Sequence, residues 1–263
     1  MTGREIDEKT KRLKILEPDE IETLYGLPVF DDEDREFRFA LLPSEKAALS
    51  QLHSVKSRLY FVLQLGYFKE RYQFFIFSIQ DVVEDARYVQ QTHFPDFELT
   101  DFAMAKGTRL KQQRIILDLF HYRYCEEADR QKLLLKAQQV AKVDSKPIYI
   151  FRELIHYLAE QQLVVPGYTL MQDTVGQALH HEQNRLIMVA TTQLTDSDKA
   201  ELNKLLSNPH GLYEITRLKR EPKDFSNQEI AQEISRGKQL QALYGVTKRL
   251  LPHLDISNES VKY

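Results

Sequence analysis

The chain has 263 residues, 42% of them hydrophobic and 29% charged, with a net charge of −3, nine Gly and nine Pro. That balance is typical of a folded globular protein, and so few turn-forming residues count against β-sandwiches and barrels. The single Cys125 excludes an intramolecular disulfide and any Cys-based zinc site, and no apolar run approaches the roughly 18 residues of a membrane-spanning helix.

Helical signals dominate in chain order. Pro18, Asp19 and Glu20 suit a first turn, Ile21, Leu24 and Tyr25 follow at helical spacing, and Gly26 with Pro28 ends the segment. Asp31, Asp32 and Asp34 suggest part of a calcium loop, but the Gly and distal Glu of such a loop are missing, so a solvated helix entrance is expected. Ser44 opens a further helix bearing Ala47, Ala48 and Leu52. Residues 53–72 read as one long helix whose Leu59, Tyr60, Phe61, Val62, Leu63 and Leu65 leave almost no polar face, the mark of a buried helix. Residues 74–77 are either a short strand or an extended link packed on that helix.

Ser78 to Asp81 resembles a capping box, and Val82, Val83, Ala86 and Val89 continue as an amphipathic helix toward His93. Helices are expected over 109–122, 126–140 and 148–162. Pro166-Gly167 marks a turn before a helix that starts at Thr169 or Asp173 and reaches residue 190. Thr195-Asp196-Ser197-Asp198 precedes a helix stopped by Pro209 and Gly211, and Ser226 to Glu229 is a capping box before Ile230, Ile234, Leu240 and Leu243. The expectation is an all-α fold of consecutive helical bundles with helix-turn-helix-like modules and little or no sheet. Its parts are a first module over 1–94, a second over 95–190 and a helical continuation over 191–263.

No catalytic constellation emerges. There is no Gly-rich phosphate loop and no H-E-x-x-H, and adjacent His180 and His181, beside Glu182, point in different directions on a helix. Cys125 has no evident base beside it and reads as an inert thiol. No cofactor or metal is expected. The first residues are charged and carry no apolar signal core, so a cytoplasmic protein without a membrane partner is expected.

Charge is distributed unevenly. Successive segments 1–40, 41–75, 76–105, 106–152 and 153–263 carry net charges of −5, +3, −5, +6 and −2. In the most basic of them, Lys106, Thr108, Arg109, Lys111, Gln112, Gln113 and Arg114 gather at a helix start, and Arg123, Arg130, Lys132 and Lys136 extend the run. Such groups neutralise phosphates and release counterions from a duplex; the alternative is a solvated helix face. Residues 148–190 read as helix, short turn, helix. A helix-turn-helix places polar residues at the start of its second helix against base edges, which offers Thr169, Gln172, Gln177 and Arg185 as base readers. Any helical hairpin of a bundle shows the same arrangement. An earlier helix pair, over 44–52 and 53–72, offers His53, Ser54, Lys56, Ser57 and Arg58. The phosphate-contact candidates are therefore Lys56, Arg58, Lys106, Arg109, Lys111, Arg114 and Arg123.

Four stretches together resemble the N-terminal region of the Tn-three family transposases, the large enzymes of replicative bacterial transposons. They are LEPDEIETLYGLP at 16–28, RLYFVLQLGYF at 58–68, Thr108-Arg109 with Ile115 and His121-Tyr122-Arg123-Tyr124, and residues 154–166 with Leu158 and Pro166. The sequence departs from the pattern at Phe120, where many members have Gly, with His121 intervening before Tyr122-Arg123. The resemblance implies helical modules that recognise the terminal inverted repeats of a transposon in double-stranded DNA. It also implies that strand transfer belongs to a two-metal carboxylate domain far C-terminal of this region, so no catalysis is expected here. The implied partners are transposon-end DNA and this chain itself or a full-length transposase. The competing expectation is a helical protein–protein scaffold or regulator that assembles with such a transposase.

Overall fold

Local chemistry sets most helix ends. In the computed structural model, which describes residues 12–207, 213–219, 221–222 and 224–254, the helices are α1 (Pro18–Tyr25), α2 (Asp32–Phe39), α3 (Pro43–Ser50), α4 (Val55–Arg71), α5 (Val83–His93), α6 (Lys106–Phe120), α7 (Glu127–Ala141), α8 (Pro147–Glu160), α9 (Tyr168–Gln193), α10 (Asp196–Leu205), α11 (Glu214–Leu218) and α12 (Asn227–Leu254). Proline occupies the first turn of α1, α3 and α8, where a missing N–H costs nothing. Asp31 caps α2 and Asp34 reciprocates, so this acidic run is a helix start rather than a calcium loop. Ser54 caps α4, Thr195 caps α10, and Ser226 accepts the Glu229 N–H at the head of α12. Pro209 and Gly211 lie outside the described residues.

The fold is all-α. Among the described residues the extended backbone forms only isolated bridges, Ser78 with Ala103 and Arg123 with Leu163. Residues 74–77 are an extended link: Phe75 and Phe77 point inward, Ile76 points out, and Gln64 donates to the Phe75 carbonyl. A 3-10 turn at Gln80–Val82 then leads into α5, with Asp81 accepting from the N–H and hydroxyl of Ser78. Among the described residues no helix is long and apolar enough to cross a membrane.

The chain divides into two compact units, Met1–Ala137 with Lys146–Gln177, and Gln138–Ser145 with Ala178–Tyr263. These groupings differ from a division at residue 94, because elements on both sides of that position pack on α4. Ser57 and residues 59–68 of α4 are all buried. Leu59, Tyr60, Val62, Leu63 and Tyr67 enter one core with Phe30, Phe39, Phe75, Phe77, Ala86 and Val89. Phe61, Leu65 and Phe68 enter a second core with Ala48, Ile116, Leu117 and Val164. Helical spacing sends these two sets to opposite sides, so a helix apolar all round is covered all round.

Buried polar groups tie these layers together. The Asp85 carboxylate on α5 accepts from the Arg35 Nε of α2 at 2.8 Å and from the Tyr67 hydroxyl of α4 at 2.8 Å. Glu45, 2% exposed, accepts from Lys69 Nζ at 2.9 Å and from the Leu42 N–H, which pins α3 to the end of α4. Gln112 of α6 donates to the carbonyl and hydroxyl oxygens of Ser57. Both buried carboxylates are thus compensated by cations or hydroxyls, whereas the Gln112 Oε1 is buried without a hydrogen-bond partner among the described residues.

Two positions on this frame are sterically exacting. A β-carbon on Gly66 would lie 2.4 Å from the Phe39 ring, so α2 and α4 meet across a bare backbone. His121 caps α6 with φ 57° and ψ 30°, in the left-handed region that glycine adopts more cheaply. The turn before Arg123 is thus closed by His121 at a strained angle. Gly66→Ala is expected to lower stability by roughly 1–3 kcal/mol despite alanine's better helix propensity, read as a lower thermal midpoint. His121→Gly is expected to raise that midpoint, by up to about 1 kcal/mol of stability.

Candidate nucleic-acid interface

The basic stretch of α6 divides into two faces once the helix is formed. Gln112, Gln113, Ile116 and Leu117 are buried, while Lys106, Leu110, Lys111, Arg114 and Asp118 are exposed. The amides of the stretch are therefore structural: Gln112 holds Ser57, and Gln113 accepts from the Tyr124 hydroxyl. Lys106, Lys111 and Arg114 share the outer face, and none of them pairs with a carboxylate among the described residues. Arg109 lies on the other side of the helix, half-buried, with its guanidinium at the Met104 carbonyl.

The first turn of α4 packs on the second turn of α6. Besides the Gln112–Ser57 bonds, the Lys56 ammonium sits 5.3 Å from the centre of the Phe102 ring, just ahead of α6. Neither helix has an acidic residue in its first turn, and no side chain caps α6. Each helix dipole adds positive potential at its own start, that of α4 near Lys56 and that of α6 near Lys106. Arg58 does not join them, because its Nε is bonded at 2.6 Å to the Leu52 carbonyl. Acidic groups lie nearby in sequence, but the Asp101 carboxylate accepts the Gln80 N–H.

Arg123 has a different employment. It grips Asp129 through both guanidinium nitrogens, while its backbone N–H donates to Gln162 and its carbonyl accepts from Val164. The guanidinium holds the Asp129 carboxyl at about 2, below the usual carboxylate range. The Arg123 guanidinium is engaged by Asp129 at the start of α7 although its side chain is half exposed, and its backbone joins the link after α8.

That link, residues 161–167, is longer than the three or four residues of a helix-turn-helix turn and is held by the Arg123 bridge. Within the unit, α8 and the start of α9 meet through Phe151 and Tyr168, and the Tyr168 hydroxyl accepts the Leu16 N–H at 3.1 Å. Thr169, Asp173 and Gln177 lie on one exposed face of α9 and line a cleft of about 530 Å³ with Glu127, Arg130, Gln131 and Leu134 of α7. Asp173 is paired with Arg12 at 3.0 Å. Gln131, unremarkable in the sequence, joins Gln177 as an amide in this cleft.

Two base-reading candidates do not survive the geometry. Gln172 is 9% exposed and donates to the Leu13 carbonyl at 3.0 Å, a tie to the segment before α1. Arg185 is held by both oxygens of Glu182 and by the Leu254 carbonyl at 2.6 Å, which anchors the end of α12. Glu182 is buried and engaged by Arg185, while His180, bonded to Asn184, and His181 are exposed helix surface. Burial raises the Cys125 thiol above its usual range, opposite to an activated nucleophile.

What the fold and these sets define is an all-helical protein with a cationic face on α6 that pairs with no carboxylate among the described residues, and a separate polar cleft between α7 and α9. The chain belongs to a domain family, "Domain of unknown function (DUF4158)", whose model matches residues 15–178. That span takes in both cores on α4, the α6 face and the cleft. No curated protein matches the chain.

The Arg123–Asp129 tie carries a pH dependence. Because the folded carboxyl titrates below its unfolded range, its contribution is present above about pH 4 and is lost as pH falls toward about 2. A thermal-midpoint series should show wild type more stable than Asp129→Asn at neutral pH, with the difference closing through that window.

Proposed function

We propose that this chain is the DNA-binding front end of a Tn-three-like transposase, recognising the terminal inverted repeats of a transposon and carrying no catalysis of its own. The observation that supports this most is the face of Lys106, Lys111 and Arg114, exposed and without a carboxylate partner among the described residues at an α6 start that no side chain caps. Cations held there without carboxylate partners are free to replace the counterions of a phosphate backbone, and the helix dipoles favour the same anion. Backbone contact of this kind positions a duplex; sequence must be read elsewhere. Thr169 and Gln177, with Gln131 across the cleft, are the remaining groups with the hydrogen-bonding pattern for base edges.

A second reading, a helical scaffold that assembles with a full-length transposase, draws on apolar side chains left exposed along α12. It predicts little affinity for DNA.

Duplexes selected by the protein from a random pool, titrated across a salt series, separate the two readings. Lys111→Ala or Arg114→Ala is expected to weaken all duplexes alike and to reduce the salt slope by about 1 each. Gln177→Ala is expected to cost roughly 1–3 kcal/mol on the selected sequence only. Binding to no duplex at low salt, or an unchanged slope in both lysine and arginine variants, sinks the DNA reading.

A further inference from the structure

The first unit contains a recess of about 200 Å³ that neither proposed DNA surface uses. Leu24, Ile155, Leu163 and Val165 give it apolar walls, and Tyr25, Arg71, Tyr72 and Tyr122 also line it. The walls are tied to one another around the hollow. Gln73 Nε2 donates to the Leu24 carbonyl at 3.0 Å, and the Val165 N–H donates to the Tyr72 carbonyl at 3.4 Å. The Tyr72 and Tyr122 rings stack, with centres 5.0 Å apart and planes 7° from parallel.

Strained backbone gathers at this one place. Among the described residues, the non-glycine positions with left-handed φ are Tyr72 at 52°, His121 at 57° and Gln162 at 51°. Tyr72 lines the recess, and the other two immediately precede the lining residues Tyr122 and Leu163. Each follows a helix end where glycine would adopt the same angle more cheaply. Such conformations persist only where the surroundings enforce them, and they concentrate at ligand sites.

Two polar atoms of the lining residues are buried and unanswered. The Tyr25 hydroxyl and the Arg71 Nε have no hydrogen-bond partner among the described residues. Burial, with Tyr168 beside it, holds the Tyr25 hydroxyl well above its usual range, so at neutral pH it keeps a proton to donate. Arg71 Nε can only donate, so both atoms call for an acceptor. Charge points the same way. The Glu70 carboxylate answers two guanidinium groups, Arg38 at 2.6 Å and Arg71 at 3.3 Å, which leaves this trio with a net positive charge. A flat apolar body carrying an anionic acceptor meets all of these conditions. A cavity of roughly 150 Å³ accepts benzene, so the recess has room for one ring with its substituent.

We infer that the recess binds a small aromatic carboxylate. Arg71 Nε and the Tyr25 hydroxyl donate to its carboxylate, and its ring lies among Tyr72, Tyr122 and the apolar walls. The site shares no residue with the proposed DNA contacts, so either reading can fail alone.

Isothermal titration calorimetry of the full chain with sodium benzoate tests the inference, with benzamide and acetate as probes that lack the charge or the ring. Benzoate is expected to bind saturably at one site per chain, at least roughly tenfold more tightly than either control. Tyr25→Phe and Arg71→Gln should each weaken it about tenfold, the loss of one hydrogen bond to a charged group. Tyr25→Phe deletes an oxygen that the fold leaves unpartnered, so the thermal midpoint of the free chain should not fall, as it would for a structural hydroxyl. Ala159→Leu, at an exposed position on the lining, should fill the recess and abolish benzoate binding with helix content kept. No saturable binding of benzoate, equal affinity for benzamide or acetate, or a benzoate affinity unmoved by Tyr25→Phe, Arg71→Gln and Ala159→Leu each overturns the inference.

Discussion

A helix that is apolar on every side is stable in water only if two layers cover it, and α4 imposes that condition on its surroundings. Leu59, Leu63 and Tyr67 draw α2, α5 and the 74–77 link onto one side, while Phe61, Leu65 and Phe68 draw α3, α6 and Val164 onto the other. Full burial of each such side chain contributes roughly 1.5–3 kcal/mol, so no peripheral element can leave without exposing part of this helix. Gly66 marks the closest approach, where the Phe39 ring lies against the backbone. The position of α6, and so of its cationic face, follows from what α4 must hide.

The same packing decides which polar groups remain available to a partner. Arg35, Lys69, Arg123 and Arg185 are cations in the sequence, but each is committed to a carboxylate or carbonyl within the fold. For Arg35, Lys69 and Arg185, whose side chains are mostly covered, removing the partner would strand a poorly solvated charge, which is costly, so these residues serve the frame. Lys106, Lys111 and Arg114 have no such commitment among the described residues, because their side of α6 faces away from α4. Clustering in sequence and availability in space are thus separate properties.

Much of the secondary structure was legible because it depends on short-range chemistry. Pro18, Thr195 and Ser226 announce helix starts through local groups, and the unbroken apolar run of α4 announces burial. The four residues 74–77 were ambiguous for a physical reason: alternation of buried and exposed side chains is shared by a strand and by an extended link. What distinguishes them is that, among the described residues, no neighbouring strand pairs with these four. The link between α8 and α9 misled in another way. Pro166-Gly167 signals a turn, but the backbone bonds between Arg123 and residues 162 and 164 stretch it into a longer connection.

By itself the sequence determined an all-helical chain, a doubly covered central helix and a basic segment between residues 106 and 152, since periodicity, capping and charge are written residue by residue. It could not determine which members of that segment face outward, because the side a helix hides depends on neighbours distant in the chain. Gln172 and Leu13 lie 159 positions apart, and Arg185 and Leu254 lie 69 apart, yet those contacts turn candidate readers into structural ties. Only tertiary structure brings such groups together, and only there is each polar side chain assigned either to the fold or to a partner.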